Sequence, residues 1–63
     1  MQTRVEFVSK RGKRRVMVYD VAPRGNYWVL RPPRGQWAML NDVLRDCTAF
    51  EWNKSKGYMV IYD

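Results

Sequence analysis

The sequence predicts a small α+β domain in which an antiparallel sheet of about three to five strands packs on one short helix. Short runs rich in β-branched and aromatic residues alternate with turn residues along most of the chain, as in a sheet of short strands. Residues 37–47 instead have apolar side chains at intervals of three and four residues, as one side of a helix does. With 63 residues in total, the chain is expected to form a single domain, residues 1–63, around a small core.

Residues 4–21 are predicted to form a first hairpin. Val5 and Phe7 lie at alternate positions of the first strand, residues 4–8, and the second strand, residues 14–21, is rich in β-branched and aromatic side chains. The turn between them has the sequence Ser-Lys-Arg-Gly-Lys, in which three of the five residues are cations. We therefore expect the tip of this hairpin to be strongly basic.

A third strand is predicted at residues 27–31. Pro23 is expected to end the second strand, because proline has no N–H group to donate to a neighbouring strand. Arg24 and Gly25 then form a turn, and the two prolines that follow Arg31 end the third strand.

A second hairpin is predicted in the last part of the chain. Residues 49–52 and 58–62 are rich in aromatic and aliphatic side chains, and the loop between them contains a glycine. All four glycines of the chain directly follow a cation, which places a positive charge at each predicted turn. These pairs are Arg11-Gly12, Arg24-Gly25, Arg34-Gly35 and Lys56-Gly57.

The helix predicted for residues 37–47 has an alternative. The apolar side chains that would face the sheet from this helix are Trp37, Leu40, Val43, Leu44 and Cys47. However, residues 23–30 and 33–40 form a local repeat in which Pro-Arg-Gly precedes an aromatic and apolar run. If the second copy is a strand like the first, Asn41 caps a helix of under two turns. Five short strands would then resemble an SH3-like barrel.

The net charge of +6 is concentrated in the first part of the chain. Residues 1–36 contain nine Lys and Arg against two acidic residues, whereas residues 37–63 contain three against four. Eight of the twelve cations are arginines, whose planar guanidinium suits phosphate contacts. A field of this sign attracts nucleic acid, an anionic membrane or an acidic protein surface. The alternative is that basic turns only keep a small domain soluble.

The residue types exclude several kinds of active site. The chain has no histidine and a single cysteine, Cys47, so it cannot form an internal disulfide, a Cys/His zinc site or a histidine-based catalytic group. Asp42 and Asp46 lie four residues apart with Arg45 between them, a pattern typical of a solvated surface rather than of an acid–base pair. Cys47 is expected to be a small buried apolar residue on the helix. We predict no enzymatic activity, no cofactor and no metal site.

Targeting and membrane segments are not predicted either. The first four residues do not lead into an apolar stretch, and the longest apolar run, residues 58–62, is too short to cross a bilayer. We therefore expect a cytoplasmic protein without membrane contact.

The two faces of the predicted sheet differ in composition, because alternate residues of a strand point to opposite sides. We expect the face that packs on the helix to carry Val5, Phe7, Val16, Val18, Trp28 and Leu30. The opposite face then carries Arg4, Glu6, Arg15, Met17, Tyr19, Tyr27, Val29 and Arg31. Tyrosines flanked by arginines suit single-stranded nucleic acid, because bases stack on rings for about 1–3 kcal/mol each while the cations meet phosphates. The alternative for Tyr19 and Tyr27 is ordinary cross-strand packing.

Together these patterns predict a nucleic-acid-binding protein that acts through the first hairpin and the Arg-Gly turns. The candidate phosphate contacts are Arg11, Lys13, Arg14, Arg15, Arg24, Arg31 and Arg34, and the candidate stacking residues are Tyr19 and Tyr27. The order of strands and helix in residues 4–47 resembles the arm-site DNA-binding domains of phage-type integrases. The short, Arg-rich chain also resembles the accessory proteins of phages and mobile elements. The alternative function is a protein-binding inhibitor or adaptor that docks its basic face on an acidic surface of a host protein or ribonucleoprotein complex.

Overall fold

Six β-strands and one short helix make up the fold, in a computed structural model that describes all 63 residues. In chain order the strands are β1 (Gln2–Val8), β2 (Arg14–Arg24), β3 (Tyr27–Arg31), β4 (Ala38–Met39), β5 (Ala49–Asn53) and β6 (Tyr58–Tyr62), and the helix α1 (Leu40–Leu44) directly follows β4. All strands belong to one sheet with the order β4-β3-β2-β1-β6-β5. Neighbouring strands are antiparallel except for β1 and β6, which are parallel.

The sheet curls into a half-barrel. Trp28 of β3 and Trp52 of β5 are four strand positions apart, which in a flat sheet would separate them by about 19 Å. Their ring centroids nevertheless lie 4.9 Å apart, with the rings nearly perpendicular. The two sides of the sheet therefore differ, and we call the enclosed side the concave face and the outer side the convex face.

The core lies on the concave face. It consists of six buried residues from four strands and the helix, namely Val5, Val21, Leu30, Leu40, Met59 and Ile61. Only nine of the 63 residues are buried, so each of these side chains contributes a large share of the stability. Truncating a buried aliphatic side chain to alanine in such a core costs about 2–5 kcal/mol.

The helix is much shorter than the periodicity of residues 37–47 predicts. Ala38 and Met39 pair with Leu30 and Val29 and extend the sheet instead, so the alternative derived from the local repeat is correct for the strand and for the short helix. The predicted cap is wrong, because α1 follows the extended Met39 without a side-chain cap and Asn41 lies inside the helix. Backbone pairing with β3 thus outweighs the helical spacing of the apolar side chains.

The strand count also differs from the prediction of three to five. The two-residue β4 adds a sixth strand. The sheet does not close into a barrel, because its edge strands β4 and β5 do not pair with each other. An SH3-like barrel of five strands is therefore not formed. The resemblance to integrase arm-site domains does not extend beyond the antiparallel order of β1, β2 and β3, because α1 has only five residues and lies against β3 and β4.

The four predicted glycine turns are confirmed. All four glycines have positive φ angles, between 60° and 102°, and no other residue does. Two of these turns close the hairpins β1–β2 and β5–β6 that the sequence predicts.

Candidate nucleic-acid interface

The side chains of β2 point to the opposite faces of the sheet from those predicted. Met17 pairs with Val5 of β1, and Val18 pairs with Arg4. Residues that pair directly point to the same side of a sheet, and Val5 is in the core, so Met17 lies on the concave face and Val18 on the convex face. The prediction that Val16 and Val18 pack against the helix is therefore wrong, and both side chains are exposed.

Tyr19 and Arg15 follow the same phase and also lie on the concave face rather than the predicted open face. The Tyr19 ring meets the Phe7 ring edge-on, with centroids 6.3 Å apart, and packs against the core. The Arg15 guanidinium carbon lies 5.2 Å from the centroid of Phe7. Tyr27 lies on the convex face, where it pairs with Arg24. The two tyrosines are thus on opposite faces and do not form a common stacking platform.

The phase of β2 is ambiguous in the sequence because four apolar residues follow one another. Residues 16–19 read Val-Met-Val-Tyr. Whether the even-numbered or the odd-numbered residues face the core, each face of the strand receives two of these side chains. The hairpin turn fixes the register. The Ser9 N–H donates to the Lys13 carbonyl at 2.8 Å, and the Lys13 N–H donates to the Ser9 Oγ at 3.1 Å.

The strongest concentration of charge lies at this turn, in a segment that we call the basic tip, residues 10–15. Five of its six residues are cations, and all six are exposed. The cations are Lys10, Arg11, Lys13, Arg14 and Arg15. Four of the predicted contacts therefore occupy one end of the molecule.

Glu6 is the only carboxylate that pairs with the basic tip. It accepts a hydrogen bond from Arg14 Nη1 at 3.4 Å and one from the Tyr58 hydroxyl at 3.1 Å. Burial and the hydrogen bond to Glu6 raise the pKa of Tyr58, so this hydroxyl stays a donor. The Arg14 side chain is 69% exposed, which makes the ion pair a weak one. The other four cations have no ion-pair partner.

A second group, which we call the Trp37 cluster, consists of Trp37, Arg24 and Arg31. Trp37 is 56% exposed, and the guanidinium carbons of Arg31 and Arg24 lie 5.1 Å and 5.9 Å from its ring centroid. Arg31 also forms an ion pair with Asp20 at 2.9 Å. A hydrogen bond from the Met1 amino group, together with Arg31, lowers the pKa of Asp20.

Trp37 is a candidate residue that sequence reasoning assigned to the helix core. The local repeat contains a signal for its true position, because it aligns Trp37 with Tyr27, which also lies two residues after an Arg-Gly pair and points to the convex face. Its exposure follows from the register, since Ala38 pairs with the concave-face residue Leu30. The residue before Ala38 must therefore point to the convex side.

The predicted contacts form two groups rather than one continuous basic face. Arg14 and Arg24 begin and end β2, and ten strand steps separate them by about 33 Å. The longest extent of the whole molecule is 33 Å. Arg34 lies exposed in the loop between β3 and β4, on the side of the Trp37 cluster.

A groove of about 650 Å³ opens beside the basic tip. Its lining includes Lys13, Arg14 and Arg15, but also the carboxylates of Asp46 and Asp63. The two carboxylates offset two of the three cations in this lining. The positive charge of the basic tip is therefore least compensated at Lys10 and Arg11, which do not line the groove.

Cys47 also lines this groove but has no reactive environment. Its thiol donates to the Val43 carbonyl at 3.1 Å. Burial, Asp63 and Asp46 all raise the pKa of Cys47, so the thiolate form is disfavoured. The residue is half-buried against the core, just beyond α1.

The comparisons with known proteins do not assign the chain to a family. No protein-family model, curated protein or solved structure matches it. None of its helical residues forms a segment long and apolar enough to cross a membrane. A function is therefore inferred from the residues and their geometry.

Proposed function

We propose that this chain is a non-enzymatic nucleic-acid-binding protein that contacts phosphates through the basic tip of its β1–β2 hairpin. One observation carries the proposal: five exposed cations lie within six residues, and only Arg14 has an acidic partner. The five cations therefore outnumber the three carboxylates that lie near them, Glu6, Asp46 and Asp63. Release of counterions from a nucleic acid is the largest source of affinity for such a surface.

The composition of the tip supports the same proposal. The turn residues 9–13 join β1 and β2 at a corner of the sheet, because β1 also pairs with β6 as far as Val8 and β3 begins its pairing with β2 only at Asp20. Three of the five cations are arginines, whose guanidinium groups suit both phosphates and guanine edges.

The Trp37 cluster supports contact with unpaired bases at the other end of the molecule. Trp37 has an exposed ring, with two guanidinium groups held beside it. Stacking of one base on such a ring contributes about 1–3 kcal/mol. A nucleic acid that meets both groups must extend over the distance of about 33 Å between them along β2.

Binding to labelled oligonucleotides at increasing salt concentration tests the proposal. For about five phosphate contacts we expect log K to fall with log salt at a slope of about −4 to −5 on duplex DNA and about −3 to −4 on a single strand. Fluorescence anisotropy with single-stranded and duplex DNA and RNA measures these slopes. Absence of binding to all four at low salt would overturn the proposal.

A further inference from the structure

The first half of β2 is an open edge of the sheet. β2 pairs with β1 along Arg14 to Asp20 but with β3 only from Asp20 to Arg24. Pro32 and Pro33 follow the last residue of β3, and because proline has no N–H group, the third strand ends there. Residues 14–19 are therefore left without a neighbouring strand on that side.

The main-chain groups of this edge are arranged for a further strand. The Ser9 N–H donates to the Lys13 carbonyl, and the Val21 N–H donates to the Met1 carbonyl, both at 2.8 Å. Because hydrogen-bonded positions alternate along an antiparallel pair, the odd-numbered residues of β2 bond to β1. The N–H and carbonyl groups of the even-numbered residues therefore point away from β1. At the open edge these residues are Arg14, Val16 and Val18.

The side chains at the edge are apolar on both faces. Val16 and Val18 are 46% and 47% exposed on the convex face, and Met17 is 37% exposed on the concave face. Sheet edges that only need protection from aggregation are short, or carry charges and prolines along their length. Here charged residues lie only at the two ends of the open edge, Arg14 and Arg15 at one end and Asp20 at the other, and three consecutive apolar residues between them are exposed to solvent.

We propose that this edge binds an extended, acidic segment of a partner protein as an added strand. Main-chain hydrogen bonds to Arg14, Val16 and Val18 would supply affinity, as in other cases of strand addition. Apolar side chains at alternate positions of the segment would cover the two exposed valines. Asp or Glu at the end beside Arg14 and Arg15 would meet the basic tip.

Charge favours an acidic partner over a second copy of the chain. In a symmetric pairing through Val16, each Arg14 faces Val18 of the other copy and meets no carboxylate. Each copy also carries a net charge of +6. The two acidic residues near the edge are already paired within their own chain, Glu6 with Arg14, and Asp20 with Arg31 and the Met1 amino group. A nucleic acid has no peptide groups to pair with the edge and leaves the valines uncovered.

The probe is a peptide selected from a displayed library of random sequences. Each peptide is about 12 residues long, so that it spans the whole edge. We expect enriched peptides to alternate apolar residues and to contain Asp or Glu near one end. A synthetic copy of an enriched peptide is then added to the wild-type protein, and amide hydrogen exchange is measured by NMR. The amides of Arg14, Val16 and Val18 should exchange rapidly in the free protein and become protected in the complex. The amides of Arg15, Met17 and Tyr19 should be protected in both states.

The pair Val16→Pro and Val16→Thr provides a matched control. Val16→Pro removes one outward N–H, whereas Val16→Thr keeps it and remains a good strand residue. We expect Val16→Pro to weaken peptide binding about tenfold and Val16→Thr to change it less than about threefold. The exchange measurement on wild-type protein decides the matter if Val16→Pro does not fold.

Three results would overturn the proposal. One is that no peptide is enriched, and another is that enriched peptides leave the Arg14, Val16 and Val18 amides unprotected. The third is protection of these amides without peptide that rises with protein concentration, which would show pairing between two copies. None of these results bears on oligonucleotide binding, so the proposed function and this inference can fail separately.

Discussion

Lys54 shows how a single side chain can join two distant strands. Its ammonium nitrogen lies 4.9 Å from the ring centroid of Trp28 and 4.8 Å from that of Trp52. These two rings are the contact through which β3 and β5 meet. The lysine therefore lies over the point where the half-barrel nearly closes, a role that its position in a basic turn did not indicate.

We expect Lys54→Gln to lower the free energy of unfolding by about 0.5–1 kcal/mol, because the cation–π contacts are lost while much of the side-chain length is kept. Urea denaturation followed by tryptophan fluorescence measures the change. Lys56→Gln, in the same turn but without an aromatic contact, is the control. Equal effects of the two substitutions would contradict a specific role for Lys54.

Asp20 is a residue whose ionisation is expected to affect the stability of the fold. Its folded-state pKa is lowered, first by the hydrogen bond from the Met1 amino group and then by Arg31, so its charged form stabilises the fold. This stabilisation is present above the unfolded pKa of about 3.9 and is lost as the pH falls through the lower folded value. We expect Asp20→Asn to make the loss of stability between about pH 5 and pH 2 less steep. Urea midpoints measured across this range for both proteins test the expectation, and identical pH profiles would contradict it.

At the scale of elements, the two hairpins were predictable and their arrangement was not. Alternation at Val5 and Phe7, the basic turn and the glycine of the last loop indicate β1–β2 and β5–β6 from local sequence alone. The parallel pairing of β1 with β6 joins residues such as Val5 and Met59, which are far apart in the chain, and no local pattern encodes it. The face of β2 depends in the same way on its pairing with β1, whereas the local repeat of residues 23–30 and 33–40 already indicates β4.

Gly57 lies where this long-range pairing begins. Its carbonyl accepts the Arg4 N–H at 2.8 Å, its φ is +65°, and a Cβ atom there would lie 3.0 Å from the Gln2 carbonyl oxygen. Gly12, at the basic tip, has a φ of +82° but nothing within 4 Å of a Cβ position.

We expect Gly12→Ala to cost about 1–2 kcal/mol for its positive φ and Gly57→Ala to cost more, because β6 must also shift relative to β1. Thermal denaturation monitored by circular dichroism compares the two variants. A smaller loss for Gly57→Ala than for Gly12→Ala would show that the contact with Gln2 relaxes freely.

On the scale of the whole molecule, the predicted contact residues form two groups at opposite ends of β2. The basic tip and the Trp37 cluster lie about 33 Å apart along β2. The charge count placed the basic surface in residues 1–36, which contain the cations of both groups, but it did not show that the two groups lie at opposite ends. Trp37 could not be assigned from periodicity either, since its exposure is set by the pairing of Ala38 with Leu30.

The measurement that tests the central claim most directly compares two matched charge reversals, Arg11→Glu and Lys56→Glu. Each cation is exposed and directly precedes a glycine with positive φ, and neither cation itself has a positive φ. If the basic tip binds phosphate, Arg11→Glu should weaken oligonucleotide binding about tenfold or more at low salt and make the salt slope shallower by about 0.9 or more, whereas Lys56→Glu should leave both nearly unchanged. Equal losses of affinity in the two variants would show that binding depends on net charge alone and would contradict a site at the tip.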